Sequence, residues 1–500
     1  MASVSASSSA ENRRVNVSSH KSAAANATPM ASDSGFNFIH FGCWNNDGCG
    51  QARHPKTGLT SGLTRTMDKL SAVLPVINPE IVLVTGDNYY PVKPKKSLYA
   101  LANGITEKQF VPDVFNSGWD CLNTRLESVK QKTYVLLGNH DLEVKEGIKP
   151  EECVIGDERH RTVGFNMVDL CNVKCIAGTM FVMFTSSIFD TDFDKDDDKN
   201  QKKKLIIETC AKQIKAFSGD DIKTLNEMRT HAAKIINEMV VSEKQKCDSN
   251  GMKINNLVFV CHDPLVCYKY KSPDKDKKKD KGEKADKKEK EGDAGEEKTE
   301  KKEKKDKKDK KDDEEGEKVK VVTQMPFGGE KYMDLLCGII ETVKPIGTYY
   351  LCADLHQYQE GDITINCDEC SNKYTIHQCI SGTGGAEQDD EIPVEAAKEL
   401  NGKATDGFGK YNVTYNMGKS IMKFGFTHAI VDPKVGISFV PMLVDGPKKV
   451  KKDKKADVQV VSAASASGFM GGRLMKKRSA RTTRRRVKRV LKMTMKKWYR

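Results

Sequence analysis

The chain has 500 residues, of which 31% are charged and 38% hydrophobic. The hydrophobic share is low for a globular protein, but the deficit is confined to a few segments. The remaining residues are enough to form one large α/β core. No stretch is long and apolar enough to form a transmembrane segment, and residues 1–34 lack the apolar region of a secretory signal. Together with 15 scattered cysteines, an odd number, this predicts an intracellular protein, cytoplasmic or nuclear, with mostly free thiols.

Three segments account for the low hydrophobicity and for most of the net charge of +13. Residues 1–35 are rich in Ser, Ala and Asn and predict a disordered arm. Residues 271–320 consist almost entirely of Lys, Asp and Glu, which predicts a disordered charged insertion. The insertion could screen access to a site, but a tolerated surface loop is the better interpretation. Residues 447–500 form a basic tail, with 14 Lys or Arg and no Asp or Glu between 473 and 500.

The ordered part begins with an alternating strand over residues 36–42. Thr60 or Ser61 can cap the helix that follows, because apolar residues recur behind it at helical spacing. The apolar run 81–85 then predicts a buried parallel strand that breaks at a glycine and delivers Asp87 at its carboxyl end. Open α/β sheets bind their ligands at that end of the strands, so this stretch is the first candidate site.

The same design of strand and loop recurs along the chain. A second copy, over residues 134–137, ends in Gly138-Asn139-His140-Asp141, and a third, over 257–260, ends in His262. A histidine in this position is often only a hydrogen-bonded core residue, but its order among the motifs favours a ligand. Further strands are predicted at 180–184, 348–352 and 374–380, a closing strand pair at 424–432 and 436–444, and helices within 107–130, 221–245 and 331–343.

The motifs Gly86-Asp87-Asn88-x-Tyr90 and Gly138-Asn139-His140-Asp141 resemble the calcineurin-like metallophosphoesterase superfamily. The tyrosine three residues after the aspartate is similar to the purple acid phosphatase branch, especially the small tartrate-resistant type. The resemblance extends roughly over residues 36–445. It implies a four-layer α/β/β/α sandwich, with two packed mixed sheets flanked by helices, and a phosphatase that hydrolyses a phosphorylated substrate.

The resemblance also implies a dinuclear metal site. One ion would take Cys43, Asp87, Tyr90 and His356, and the other would share Asp87 and take Asn139, His262 and Asp354. Oxygen, imidazole and sulfur ligands of this kind suit iron, manganese or zinc. Two such ions would clamp a phosphoryl oxygen and activate a water for in-line attack. His140 would stabilise the phosphoryl group or protonate the leaving oxygen, and Asp141 would orient His140 or cap a helix.

Two of these positions depart from the family pattern. Cys43 stands where the family has the aspartate of Gly-Asp-Trp-Gly, and Asp354 where it has the first histidine of Gly-His-x-His. A thiolate would favour zinc or ferrous iron at the first site, and a carboxylate would favour manganese or magnesium at the second. An active enzyme with altered metal preference and a decayed site therefore both stay open. Retention of Asp87, Asn139 and His262 favours activity.

The basic tail predicts a partner of its own. Apolar residues fall near one helical face between 487 and 498, which suits binding to nucleic acid or to an anionic membrane surface. The basic run that would make these contacts, or serve as a nuclear import signal, is Arg484, Arg485, Arg486, Lys488 and Arg489. Two alternatives to a phosphomonoesterase follow: a catalytically weak scaffold that acts through its tail, and a phosphodiesterase or nuclease. A charged insertion beside an Arg-rich end is also a composition similar to proteins of large DNA viruses.

Overall fold

A computed structural model describes residues 35–444, with gaps at 51–52, 54–57, 93–97, 108, 145–152, 157–163, 220, 272–320, 368, 370–371 and 390–391. The predicted N-terminal arm, the charged insertion and the basic tail lie outside the described residues, apart from a residue or two at their edges.

The described residues form sixteen strands, numbered here in chain order. They are β1 (Phe36–Phe41), β2 (Ile81–Thr85), β3 (Thr133–Leu136), β4 (Asn166–Val168), β5 (Cys171–Ile176), β6 (Thr179–Phe184), β7 (Asn256–Val260), β8 (Val266–Lys271), β9 (Val321–Pro326), β10 (Gly347–Cys352), β11 (Tyr358–Cys367), β12 (Lys373–Ser381), β13 (Ala404–Thr405), β14 (Tyr411–Ile421), β15 (Gly425–Asp432) and β16 (Gly436–Leu443).

Seven α-helices accompany the strands in the described part of the chain. They are α1 (Gly62–Ile77), α2 (Leu98–Asn103), α3 (Pro112–Arg125), α4 (Asp198–Ala211), α5 (Leu225–Ser249), α6 (Gly329–Val343) and α7 (Val394–Ala397). Ser61 is the N-cap of α1, and its hydroxyl accepts a hydrogen bond from the amide of Thr64 at 3.2 Å, as the sequence predicts. Within these residues, no helix combines the length and apolar character needed to cross a membrane.

Two large mixed sheets organise the strands, which confirms the α/β class. The first has the order β16-β15-β1-β2-β3-β4 and the second β13-β14-β11-β12-β10-β7-β6-β5, while β8 and β9 form a separate hairpin. In the first sheet β1 to β4 are parallel, and in the second β6, β7, β10 and β12 are parallel. The loops that carry the predicted site residues all follow the carboxyl ends of these parallel strands.

Three apolar clusters hold these layers together. One lies between the sheets, where Phe38 and Leu83 of the first sheet meet Phe181 and Val258 of the second. A second cluster joins the other face of the first sheet to α1 and α3, and a third joins the second sheet to α4, α5 and α6. The buried apolar residues of α5 belong to this third cluster and form the face of the helix that packs on the core.

Two disulfides have both of their cysteines among the described residues, neither of them predicted from the sequence, and Cys367 is also disulfide-bonded. They link Cys49 with Cys121 and Cys153 with Cys210. Nine described cysteines are free, which agrees with the expectation of mostly free thiols. Disulfides are typical of oxidising compartments, whereas the sequence analysis expects a reducing one, and the intracellular setting stays a prediction.

The charged insertion leaves and rejoins the described fold at neighbouring points. Lys271, the last residue of β8, and Val321, the first of β9, are cross-strand partners in an antiparallel pair. Residues 272–320 therefore connect two strand ends that a two-residue turn can also join.

Replacing residues 272–320 with Asn-Gly should leave the free energy of unfolding unchanged or raise it by up to about 2 kcal/mol, because a shorter loop loses less entropy on closure. Urea denaturation of the two proteins measures the difference. A loss of more than about 2 kcal/mol would show that the segment contributes contacts to the fold.

Candidate metal centre

The Asp87 loop has a backbone that few sequences can adopt. Gly86 and Asp87 both have left-handed conformations, with φ of 81° and 55°. A Cβ atom at Gly86 would lie 2.6 Å from His262 Nδ1 and 2.7 Å from the amide nitrogen of Gly138. A Cβ atom at Gly138 would lie 2.4 Å from Asp87 Oδ1. Glycine at both positions lets three loops from two sheets approach one carboxylate.

Asp87 is fully buried at the meeting point of these loops. Its Oδ1 accepts a hydrogen bond from the backbone amide of His140 at 3.1 Å, and its Oδ2 accepts one from the Tyr90 hydroxyl. Cys43 Sγ lies 3.8 Å from Oδ2. Burial alone would raise the pKa of Asp87, but the imidazoles of His262 and His140 lower it below its usual range, so the carboxylate is ionised at neutral pH.

His262 reaches the same carboxylate from the second sheet. Its Nδ1 lies 2.7 Å from the carbonyl oxygen of Thr85, which can only accept, so Nδ1 carries a proton. The buried Nε2 lies 3.2 Å from Asp87 Oδ1 and 3.8 Å from Asp354 Oδ1, and finds no aligned hydrogen-bond partner among the described residues. Burial alone would lower the pKa of His262, but Asp87 raises it well above its usual value.

His356 is oriented in the same way. Its Nδ1 lies 2.6 Å from the carbonyl oxygen of Glu387, and its Nε2 lies 2.9 Å from the Tyr90 hydroxyl. Its backbone amide donates to Asp389 Oδ2 at 3.0 Å, and Lys269 Nζ lies 3.6 Å from the same oxygen. Histidines that bind metals commonly donate their other ring N–H to a carbonyl in this manner, which fixes the tautomer and the ring orientation.

Two groups of possible ligand atoms meet in this centre. Ligand atoms of Cys43, Asp87 and His262 lie within 4.8 Å of one another, and so do those of His262, Asp263 and Asp354. The residues present therefore fit one or two metal ions, with a mixture of oxygen, nitrogen and sulfur donors.

The structure joins six of the seven predicted ligands by direct contacts between side chains: Cys43, Asp87, Tyr90, His262, Asp354 and His356. Asn139, the seventh, is joined through the backbone of His140. Its Oδ1 accepts from the His140 amide at 3.0 Å, the same amide that donates to Asp87.

Cys43 occupies a constrained position in the first loop. Its φ is 53°, its amide donates to the carbonyl oxygen of Gly86 at 3.1 Å, and its carbonyl oxygen accepts from Ala386 at 2.8 Å. Burial raises the pKa of the Cys43 thiol well above its usual value, with further contributions from Asp87 and Asp354. The thiolate considered from sequence therefore needs a bound cation to form at neutral pH.

Asp141 contacts backbone amides rather than acting only as a helix cap. Its carboxylate accepts hydrogen bonds from the amide of Asn88 at 3.1 Å and from that of Gly138 at 2.7 Å. These bonds connect the loop that follows β2 to the loop that follows β3. The carboxylate beside the His140 ring is instead Glu143, whose Oε1 lies 2.9 Å from Nδ1. Burial alone would lower the pKa of His140, but Asp87 and Glu143 raise it. The i, i+3 spacing of His140 and Glu143 is the sequence signal that was missed.

Asp263 is a second residue that the sequence analysis did not single out. It is buried beside His262, and its Oδ2 accepts hydrogen bonds from the hydroxyls of Ser186 at 2.7 Å and Ser187 at 2.8 Å. Burial raises the pKa of Asp263 to about 7, with a smaller contribution from Asp354. Its position directly after His262 at a strand end was the available signal.

The tail residues Arg484, Arg485, Arg486, Lys488 and Arg489 lie outside the described residues, so the predicted anionic partner stays a prediction.

Comparison with known proteins gives no family assignment. No family model matches the chain, and no curated protein does. Among solved structures, the chain is similar to one described as "GAP50 the anchor in the inner membrane complex of Plasmodium", with 10% sequence identity and a TM-score of 0.33. The match covers 83% of this chain and 87% of that one. A likeness of this size carries no argument about fold or function.

Metal binding to the metal-free protein should release protons and strengthen as pH rises. The pKa values of Cys43, Tyr90 and His262 are all raised, so these groups hold protons at neutral pH that a cation must displace. Each proton released raises the affinity by about tenfold per pH unit. Calorimetric titration with Zn²⁺ between pH 6 and 8, in buffers of different ionisation enthalpy, measures the number of protons released per metal ion bound.

Cys43→Ser should release fewer protons than the wild type and should abolish the near-ultraviolet thiolate absorption of the Co²⁺-loaded protein. Cys171→Ser is the matched control, because Cys171 is also a free thiol but lies on β5. An affinity independent of pH would contradict this account of the centre.

Proposed function

We propose that the chain is a metallophosphoesterase of the calcineurin-like type, similar to purple acid phosphatases, which hydrolyses phosphate monoesters with two metal ions. The observation that carries the proposal is the buried His262 ring. Its Nδ1 is held by a backbone carbonyl, and its Nε2 faces the carboxylates of Asp87 and Asp354. That arrangement is typical of a histidine placed to bind a metal.

The layering of the fold supports the proposal. Two mixed sheets share an apolar cluster, and each sheet packs its other face against helices, as in the four-layer sandwich expected of this family. The proposed ligands come from loops of both sheets, so the fold would place the metal centre where the two sets of strand ends meet.

The residues would divide between two ions as the resemblance implies. Cys43, Asp87, Tyr90 and His356 would hold one, and Asp87, Asn139, His262 and Asp354 the other. When bound, two cations lower the pKa of a water and stabilise the charge that develops on a phosphoryl oxygen. Iron, manganese and zinc suit these donors, with Cys43 favouring zinc or ferrous iron at the first position.

His140 is the proposed general acid. Its ring packs against Tyr90 with centroids 4.6 Å apart, and Glu143 lies beside its Nδ1. Because Asp87 and Glu143 raise its pKa, the ring is protonated over a wider pH range than a free histidine. A protonated imidazole at the edge of the centre can donate to the leaving oxygen of a phosphate ester.

The substituted positions favour an altered metal preference over a decayed site. Cys43 and Asp354 both direct ligand atoms at the remaining ligands, at 3.8 Å from Asp87 and 3.8 Å from His262. Both positions therefore still carry a side chain able to bind a metal, directed at the other proposed ligands, which favours an altered preference.

The metal-loaded protein should hydrolyse para-nitrophenyl phosphate, and Asp87→Asn should reduce turnover to the level of the protein-free control. His140→Ala should lower kcat by about 10²- to 10⁴-fold, the usual contribution of a general acid. Glu143→Gln should move the basic limb of the pH–rate profile to lower pH, because the pKa of His140 loses one of its supports.

Asp362→Asn is the control, since Asp362 is an exposed carboxylate on β11. Absence of turnover with Zn²⁺, Mn²⁺ or Fe²⁺ would refute the phosphatase proposal. A preference for bis(para-nitrophenyl) phosphate would instead favour the phosphodiesterase alternative.

The basic tail supports a second candidate function, the binding of nucleic acid or of an anionic membrane surface. Fourteen Lys or Arg without an acidic residue between 473 and 500 would release counterions on binding a polyanion. A protein ending at residue 446 should keep its turnover of small substrates and lose salt-sensitive binding to DNA. Anisotropy titrations with a labelled duplex at two salt concentrations test this. Equal binding by the truncated protein would exclude the tail as the contact.

A further inference from the structure

The second metal position contains an acidic residue that the resemblance does not assign. Asp263 follows His262 directly at the end of β7, and its carboxylate is buried. One of its oxygens lies within 4.8 Å of ligand atoms of both His262 and Asp354. Donors about 2.1 Å from a shared cation lie roughly 3 to 4 Å apart, and the 4.8 Å limit within which these three ligand atoms lie is close to that spacing.

The hydroxyls around Asp263 fix its orientation. Ser186 and Ser187 both donate to Oδ2, at 2.7 and 2.8 Å. Ser186 Oγ also accepts from the backbone amides of His262 and Asp263, each at 3.1 Å. Ligating carboxylates are commonly held by hydrogen bonds of this kind, which leave remaining lone pairs for the cation.

A second observation points to a cation at this position. His262 Nε2 is buried and makes no aligned hydrogen bond among the described residues, although it lies 3.2 Å from Asp87 Oδ1 and 3.8 Å from Asp354 Oδ1. Its other nitrogen is already held by the carbonyl oxygen of Thr85. An imidazole nitrogen and two carboxylates directed at one volume form a ligand set, whereas a structural cluster would satisfy each of these atoms separately.

We propose that Asp263 is a further ligand of the second metal ion, and that together with Asp354 it makes this position selective for a hard divalent cation, Mn²⁺ or Mg²⁺, over Zn²⁺. The proposal rests on the proposed dinuclear site only for the presence of a second ion. Two carboxylates beside the shared Asp87 supply the oxygen donors that such ions prefer.

The test measures metal binding rather than turnover. Full-length protein is stripped of metal with a chelator and titrated with Mn²⁺, free Mn²⁺ being followed by electron paramagnetic resonance, and in parallel with Zn²⁺ by calorimetry. Asp263→Asn keeps the size of the side chain and an oxygen that can accept from the serines. We expect it to weaken Mn²⁺ binding at one position by tenfold or more, and to weaken Zn²⁺ binding by less than threefold.

Further variants separate a ligand from a structural residue. Asp263→His replaces a hard donor with a softer one and should raise the affinity for Zn²⁺ relative to Mn²⁺. Ser187→Ala removes one hydrogen bond but no ligand, so its effect on both metals should be small and equal. Asp362→Asn again serves as the control, and the thermal midpoint of each metal-free variant confirms that it folds.

Two outcomes would overturn the proposal: Mn²⁺ affinity of Asp263→Asn within twofold of the wild type, or equal weakening of Mn²⁺ and Zn²⁺, the signature of a merely structural role. Selective Mn²⁺ binding without turnover would leave the ligand assignment standing and refute the phosphatase proposal. Turnover by the wild type, with no change of metal selectivity in Asp263→Asn, would support the phosphatase proposal and refute the assignment of Asp263 as a ligand.

Discussion

The buried carboxylate of Asp87 is the constraint on which the rest of the centre depends. A carboxylate removed from water must be compensated by positive charge or by hydrogen-bond donors, since its desolvation costs several kcal/mol. The chain brings the His140 amide, the Tyr90 hydroxyl and the His262 ring to it from both sheets. That convergence requires a backbone without a Cβ atom at Gly86 and Gly138. The close approach of loops from both sheets, which the two glycines and the left-handed backbone permit, therefore places the compensating groups around one carboxylate.

Cys43 and Asp354 give the two ends of the centre different electrostatics. Cys43 is neutral without a metal, because burial raises the pKa of its thiol, so the first position carries less fixed negative charge than an aspartate would give it. Asp354 and Asp263 place two carboxyl groups near His262, so the second position offers more oxygen donors. The two ends of the centre therefore differ in donor type, and donor type is a property that controls metal identity.

Much of the fold was predictable because its buried strands are continuous apolar runs that end in glycine or a polar ligand residue, as β2, β3 and β7 do. Strand β14 was not predicted, although Tyr411, Val413, Tyr415 and Met417 are buried on one face and alternate with more exposed residues. There the signal was present and overlooked. The pairing of Cys49 with Cys121, by contrast, depends on the packing of a loop against α3 across 72 residues of sequence. Local periodicity contains no information about such a contact. The contact of Glu143 with the His140 ring is different, because its i, i+3 spacing is local and was available in the sequence.

The disulfide between Cys49 and Cys121 also has a practical consequence. Cys49 belongs to the loop that begins at Cys43, and the disulfide fastens that loop to α3 alongside hydrogen bonds between Ser117 and the backbone of Cys49. Reductants added to protect the Cys43 thiol also have this disulfide as a target, dithiols through thiol–disulfide exchange and phosphines through direct attack on sulfur. The choice of reductant therefore matters for metal-binding experiments. A phosphine or dithiol that reduces the Cys49–Cys121 disulfide removes a covalent constraint from the loop that contains Cys43.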